Sequence, residues 1–221
     1  REEKAGAEGP REEDDVDAVA AGQGQPCEEC GIVPPVRAHH CRACRRCVAC
    51  FDHHCYVIGT CVGERNHCRF WWFIFLQWCS VWSGISIVSR AMHSRSTFEE
   101  WAQENQRAIF TSVALWIVFL YLSILVGFQT WLMLTNMTTY ECIKGPEGLW
   151  YLRDTEDMDL PYSEGLVRNL MGFCCIRDGW RFAFTKRRRW TPTPFKPPGR
   201  IDRDSADVCA HPWQNKYYSC C

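Results

Sequence analysis

Two long apolar runs dominate the pattern of hydrophobic and polar positions in this chain. Phe70–Val88 and Ile109–Leu134 contain no charged residue. At a rise of 1.5 Å per residue, about 20 residues of helix cross a hydrocarbon core of about 30 Å. The pattern therefore predicts two transmembrane helices, which the polar connection 89–108 joins as a helical hairpin. A buried helix of a soluble protein is a poor explanation of the second run, because it extends over 26 uncharged residues.

The segments outside these runs are polar and differ from one another. Residues 1–26 are acidic and lack apolar periodicity, which predicts a disordered leader. Residues 27–69 concentrate cysteine and histidine, whereas the C-terminal region 135–221 mixes turn residues with Trp and Tyr. The expected domain boundaries are 1–26, 27–69, 70–88, 89–108, 109–134 and 135–221.

Charge predicts the orientation of the two spans. The connection 89–108 carries three Arg and three Glu, whereas the outer segments are rich in Arg and Lys. Because basic residues accumulate on the cytosolic side of membrane proteins, the outer segments are expected in the cytosol and the connection in the lumen. The basic residues that support this orientation are Arg37, Arg42, Arg45, Arg46, Arg65, Arg69, Lys144, Arg153, Arg168, Arg177, Arg181 and Lys186 to Arg189.

The segment from Cys27 to Cys61 is unusually dense in metal-binding side chains. It holds eight of the 16 cysteines and four histidines, and C-x-x-C steps recur in it. Such steps interleaved with histidine are typical of tetrahedral zinc sites, whereas a disulfide framework suits a secreted chain. The candidate ligands are Cys27, Cys30, His39, His40, Cys41, Cys44, Cys47, Cys50, His53, His54, Cys55 and Cys61. Twelve groups suffice for two interleaved sites with a surplus, and the spacing alone does not decide their pairing.

The surplus is most informative at Asp52-His53-His54-Cys55. If one histidine binds zinc, the other is free to accept the proton of the Cys55 thiol, and Asp52 can orient that imidazole. A thiolate activated in this way is a nucleophile. The spacing is equally compatible with Cys55 as one more zinc ligand.

These motifs resemble the cysteine-rich domain of the DHHC family of protein S-acyltransferases, or palmitoyltransferases. The resemblance is carried by C-x-x-C, Pro35-x-Arg37-Ala38-His39-His40-Cys41, two further C-x-x-C steps, Asp52-His53-His54-Cys55, and Cys61-Val62-Gly63 followed by Asn66. It continues after the apolar runs with Thr138-Thr139-Tyr140-Glu141, which matches the TTxE motif, and with Arg168-Asn169-Leu170 followed by Phe173. The chain departs from the family at Tyr56-Val57, where relatives usually have Pro-Trp, and at Gly59-Thr60, where they usually have Asn-Asn.

The resemblance implies a fold class and a set of site residues. The fold is a membrane α-helical hairpin with a small cytosolic two-zinc domain of short β-hairpins. Members have at least four spans, so the first two are expected to be missing from this chain. One zinc ion is expected to bind Cys27, Cys30, His40 and Cys47, and the other Cys41, Cys44, His54 and Cys61. The expected nucleophile, base and orienting carboxylate are Cys55, His53 and Asp52, with Thr139 near the carboxylate and Asn169 holding the C-terminal segment.

The activity that the resemblance implies is protein-cysteine S-palmitoylation. Cys55 would take the acyl group from palmitoyl-CoA, the co-substrate, and pass it to cytosolic cysteines of membrane-associated proteins. The implied cofactors are two structural zinc ions; the other partner is the lipid bilayer, and no nucleic acid is expected. The expected location is a Golgi or endoplasmic reticulum membrane, with the catalytic domain in the cytosol.

Several interpretations stay open at this point. The basic residues can hold the CoA phosphates or can simply follow from membrane orientation. The chain can also be a catalytically impaired, membrane-tethered zinc-binding scaffold. A RING-like ubiquitin ligase, which also interleaves two zinc sites, fits less well, because the ligands here are more closely spaced and the trio of Asp52, His53 and Cys55 has no role there.

Overall fold

The computed structural model describes residues 24–153, 155 and 160–174, so most of the predicted leader and the end of the C-terminal region lie outside the described residues. The strands are β1 (His39–Cys41), β2 (Arg46–Val48), β3 (His53–Cys55) and β4 (Thr60–Val62). The helices are α1 (His67–Arg90), α2 (Phe98–Glu104), α3 (Gln106–Thr135), α4 (Thr139–Gly148) and α5 (Leu166–Phe173), with a 3₁₀ turn at Trp150–Leu152. The chain divides into two compact units, residues 68–131 and the remainder.

The unit 68–131 is the predicted helical hairpin. Both α1 and α3 are long and apolar enough to cross a membrane. Each helix begins three residues before its apolar run, because a helix continues through polar residues until its backbone is capped. The connection also contains the short helix α2, capped by the Thr97 side chain on the Glu100 N–H.

Indole hydrogen bonds and aromatic contacts join α1 to α3. Trp71 Nε1 donates to Thr130 Oγ1 and Trp78 Nε1 donates to Ser123 Oγ, each at 2.9 Å. The ring of Trp78 also stacks on Phe119 at 5.4 Å between centroids. In a hydrocarbon medium water is not there to satisfy an indole N–H, so these bonds select one register of the two helices.

The cysteine-rich region is built from two antiparallel hairpins, β1–β2 and β3–β4. Each strand has three residues, which is too few to bury a conventional core. The buried apolar residues near the hairpins form a small group around Cys41, Phe51 and Cys61, against which Tyr140 of α4 packs. The fold class expected from the sequence, two candidate membrane helices and a small hairpin region, is therefore confirmed.

A buried ion pair ties the cysteine-rich region to α4. The Arg37 guanidinium donates to both carboxylate oxygens of Glu141, at 2.6 and 2.7 Å, and both side chains are buried. Arg37 also lies over the ring of Tyr162 and donates to the Asn136 carbonyl oxygen at 2.8 Å. Burial opposes the charge of Arg37, but Glu141 outweighs it and raises the pKa of the guanidinium. The backbone of Arg37 adopts the left-handed conformation (φ 68°). The contacts of the Arg37 side chain stabilise this conformation.

We predict that Glu141→Ala lowers the free energy of unfolding by about 3 to 5 kcal/mol, because it leaves the Arg37 charge buried without its partner. The measurement is chemical unfolding of the detergent-solubilised chain, followed by tryptophan fluorescence. Glu147→Ala is the matched control, since Glu147 is an exposed residue of the same helix and is expected to change stability by less than about 0.5 kcal/mol. Equal effects of the two substitutions would show that the ion pair is not a support of the fold.

Candidate active site and metal centres

The first Cys/His cluster joins the first C-x-x-C step to the middle pair of the β1–β2 hairpin. His40 Nδ1 lies 3.4 Å from Cys27 Sγ, 3.2 Å from Cys30 Sγ and 3.9 Å from Cys47 Sγ. The four ligand atoms lie within 4.8 Å of one another. The far nitrogen, Nε2, is 2.8 Å from a carboxylate oxygen of Glu29.

The second cluster has the same composition. His54 Nδ1 lies 3.6 Å from Cys41 Sγ, 3.4 Å from Cys44 Sγ and 3.5 Å from Cys61 Sγ. These ligand atoms again lie within 4.8 Å of one another. Three thiols and one imidazole at this separation suit a tetrahedral zinc ion, so each cluster could hold a metal ion. The structure thus brings together the two sets of four residues that the resemblance assigned.

The two clusters are copies offset by 14 residues. Adding 14 to the numbers of the first set, 27, 30, 40 and 47, gives those of the second, 41, 44, 54 and 61. The hairpins follow the same offset, because β1 and β2 begin at 39 and 46 and β3 and β4 at 53 and 60. This repeat explains the interleaving, since one copy ends in the histidine ligand of its own cluster and the next copy begins with the following residue. The repeat is visible in the sequence as equal spacing of the ligands.

Asp52 is the most enclosed polar group near the hairpins, with 1% of its surface exposed. Its carboxylate accepts hydrogen bonds from the Thr139 N–H at 2.6 Å, the Thr139 hydroxyl at 2.9 Å and His53 Nδ1 at 2.7 Å. The Thr139 N–H belongs to the first turn of α4, where backbone donors have no partner within the helix. Asp52 therefore accepts a hydrogen bond from the N-terminal turn of α4, although it lies 87 positions away from Thr139 along the chain.

His53 and Cys55 follow Asp52 on β3 and complete a polar series. The imidazole of His53 interacts with the Asp52 carboxylate through Nδ1 and with the Cys55 thiol. Burial opposes the charge of both groups, but their polar partners together outweigh it. The pKa of Asp52 is lowered by His53, His67 and Thr139, and the pKa of His53 is raised by Asp52 and Cys55. Partial burial likewise opposes ionisation of Cys55, but the backbone N–H groups of Ile58 and Val57 and the His53 imidazole lower its pKa overall.

The remaining candidate ligands lie outside both clusters. His39 packs between the rings of Phe51 and Tyr140, with centroids 5.0 and 4.5 Å away, and Cys50 is half-buried close to Arg37.

Asn169 donates to the Leu134 carbonyl oxygen at 2.6 Å and to Ser163 Oγ at 2.9 Å, so α5 is held by the residue singled out in the sequence.

One contact of Asp52 was not expected from the sequence. His67, the first residue of α1, places Nε2 3.7 Å from Asp52 Oδ1 and packs its ring edge-on against Phe173, at 4.9 Å between centroids. No spacing rule marks this pair, because His67 lies 15 positions after Asp52 and in a different element.

Comparison with known proteins agrees with this geometry. A family model described as DHHC palmitoyltransferase matches residues 20–146, more than half of the chain. Among curated proteins, the chain is 35% identical to protein S-acyltransferase 10 of Arabidopsis thaliana over 67% of its own length, and 33% identical to palmitoyltransferase ZDHHC14 of Mus musculus over 68%. It is 28% identical to putative ZDHHC-type palmitoyltransferase 7 of Dictyostelium discoideum over 88% of the chain.

These matches cover 43%, 30% and 43% of the respective relatives, so the chain spans less than half the length of the curated proteins that it resembles. The family match nevertheless includes both Cys/His clusters, the polar series on β3 and both apolar helices. The two apolar helices together with this match indicate membrane association. The chain belongs to the DHHC palmitoyltransferase family.

Proposed function

We propose that this chain is a protein-cysteine S-palmitoyltransferase in which Cys55 carries the acyl group. The observation that supports this most directly is the polar series from Thr139 through Asp52 and His53 to Cys55. A carboxylate that orients an imidazole beside a thiol is the arrangement that activates a cysteine nucleophile. Asp52 is the orienting group, His53 the base and Cys55 the nucleophile.

The first half-reaction acylates the enzyme. His53 accepts the proton of Cys55, and Sγ attacks the thioester carbonyl carbon of palmitoyl-CoA. The bond between that carbon and the CoA sulfur then breaks, and the departing sulfur takes the proton from His53, giving free CoA. Because one thioester replaces another, the step is close to thermoneutral, and the protein mainly has to supply a thiolate in the correct position.

The second half-reaction transfers the acyl group to a protein. His53 accepts the proton of a substrate cysteine, whose sulfur attacks the carbonyl carbon of the Cys55 thioester. The bond to Cys55 Sγ breaks and the thiol regains its proton from His53. The proposed substrates are membrane-associated proteins with cytosolic cysteines, because Cys55 lies a short way before the apolar helix α1 along the chain and would be anchored to a membrane by it. The basic residues of the cytosolic segments can hold the CoA phosphates by charge-assisted hydrogen bonds.

The eight residues of the two clusters are the proposed zinc ligands. Zinc bound there would have a structural role, cross-linking hairpins that have little apolar core. We place the cysteine-rich region in the cytosol, from the distribution of basic residues, and the protein in a Golgi or endoplasmic reticulum membrane.

We predict that the chain, expressed in cells fed an alkynyl palmitate analogue, acquires a label that hydroxylamine removes, and that Cys55→Ser loses at least about nine-tenths of it, because a serine ester resists hydroxylamine and the hydroxyl is a far weaker nucleophile. The measurement is in-gel fluorescence after coupling of a dye to the alkyne. Cys142→Ser is the matched control, since Cys142 is exposed. Absence of label on the unmutated chain would favour the impaired zinc-binding scaffold instead.

We predict that Thr139→Val slows acylation of Cys55 by roughly tenfold, because it removes one hydrogen bond to the Asp52 carboxylate while keeping the backbone donor. The rate is measured with purified protein and a fluorescent palmitoyl-CoA. Thr139→Ser retains the hydroxyl and is expected to react within about twofold of the unmutated chain. A Thr139→Val variant as fast as the Ser variant would remove Thr139 from the proposed series.

We predict about two zinc ions per chain by mass spectrometry of the purified protein, since two clusters offer four ligands each. Cys47→Ser is expected to reduce the content to about one or less. Cys50→Ser serves as the control, because Cys50 lies outside both clusters, and its content should remain near two. Equal losses in the two variants would contradict the ligand assignment.

A further inference from the structure

The 14-residue repeat continues past the two Cys/His clusters. In the first copy Cys27 forms an antiparallel bridge with Ile32, and in the second Cys41 pairs with Arg46. The third copy repeats this pairing, because Cys55 lies opposite Thr60. Each of these loops therefore starts with a cysteine and closes on the residue five positions later.

The three loops also share the same backbone conformation at their fifth residue. Gly31, Arg45 and Gly59 all adopt the left-handed conformation, with φ values of 63°, 50° and 65°. The backbone N–H of this fifth residue donates the same turn hydrogen bond in the second and third loops. Arg45 N donates to Arg42 O and Gly59 N donates to Tyr56 O, both at 3.3 Å.

The side chains of the loops differ at one decisive position. The fourth residue is a metal-ligand candidate in the first two loops, Cys30 and Cys44, but it is Ile58 in the third. The short loop between two cysteine ligands three positions apart is called a metal knuckle. Cys55 thus lies at the position of the first cysteine of a knuckle, but its loop has no second cysteine. It lies in neither ligand cluster among the described residues.

The surroundings of the sulfur are repeated as well. The Cys27 thiol receives backbone hydrogen bonds from Glu29 and Cys30, the second and third residues after it. Cys55 receives them from Val57 and Ile58, which are the equivalent residues of its own loop. The third loop therefore retains the backbone donors of the first loop although it lacks the partner thiol.

We propose that Cys55–Gly59 is a third knuckle loop without a second cysteine, and that its backbone is the device that positions the Cys55 sulfur. The loop shape presents one thiol at the turn end of β3–β4, where it interacts with His53. With Ile58 in place of a ligand, that thiol is left available for reaction. The importance of this device for acylation rests on the proposed function, whereas the loop geometry itself does not.

The first arm of the test alters the left-handed residue. A Cβ atom added at Gly59 meets no atom within 4 Å. A substitution there is therefore expected to act mainly through the backbone conformation. Gly59→Val should slow acylation of Cys55 by about tenfold to a hundredfold, because a β-branched residue disfavours this conformation and the nucleophile is displaced. Gly59→Asn should react within about twofold of the unmutated chain, since Asn adopts this conformation readily.

Zinc content separates positioning from unfolding in this arm. Gly59→Val is expected to keep about two zinc ions per chain while its acylation falls. Gly31→Val, at the equivalent position of the first loop, should instead lower the zinc content and so serves as the matched variant. Equal acylation rates for Gly59→Val and Gly59→Asn would overturn the proposal, as would a loss of zinc in Gly59→Val that matches its loss of acylation.

The second arm does not depend on catalysis. Ile58→Cys restores the missing thiol, which should lie as close to Cys55 as Cys30 does to Cys27, within 4.8 Å. Oxidised glutathione should then convert the pair to an intramolecular disulfide, with release of two molecules of reduced glutathione, as shown by peptide mass mapping. Val57→Cys is the control, because the equivalent residues Glu29 and Ala43 lie outside the clusters.

The outcomes of the two arms are separable. A disulfide with Ile58→Cys but not with Val57→Cys supports the third knuckle even if the unmutated chain proves not to be acylated, which would defeat only the proposed function. Failure of Ile58→Cys to form the disulfide, or equal yields from both variants, would overturn the knuckle geometry whatever the acylation result.

Discussion

Strands of three residues are the constraint on which the rest of the cysteine-rich region depends. A hairpin this short buries almost no apolar surface, so it cannot be stable by hydrophobic packing alone. The chain compensates by gathering three thiols and an imidazole around the middle pair of each hairpin, with the ligand atoms within 4.8 Å of one another. Metal binding at such clusters contributes directly to folding free energy. Zinc bound at the two clusters, as proposed, would therefore give a rigid scaffold to a segment that is too polar to collapse by itself.

The start of α4 is the second organising element. Thr138 and Glu141 form a capping box, in which the Thr138 side chain accepts from the Glu141 N–H and the Glu141 carboxylate accepts from the Thr138 N–H. This cap fixes the direction of the first helical turn. Thr139 then faces Asp52, while Glu141 reaches Arg37. One helix terminus thus stabilises the fold through one residue and orients the proposed catalytic carboxylate through another.

The repeat gives a physical account of how a metal-binding segment can carry a nucleophile. Two copies place cysteine at both ends of the knuckle, and the third places Ile58 where the second thiol would be. The loop backbone needs no further change, because the left-handed residue at position 59 is already present in the equivalent positions 31 and 45. The absence of a second thiol, with Ile58 in its place, is thus one difference between the two ligand loops and the loop of Cys55, which lies in neither cluster.

Much of this protein follows from its sequence alone. The two candidate membrane helices were predictable because uncharged apolar runs of about 20 residues have few alternatives. The candidate ligands were predictable because thiol and imidazole spacing is local, whereas their division into two sets came from the family resemblance. The ends of α1 and α3 were less exact, since polar residues continue a helix without an apolar signal. The pairing of Asp52 with Thr139 was expected only through the family resemblance, and the pairings of Arg37 with Glu141 and of Asp52 with His67 were decided only by the tertiary structure. These contacts join segments 87, 104 and 15 positions apart, and no periodicity or spacing encodes which buried polar groups will meet across such separations.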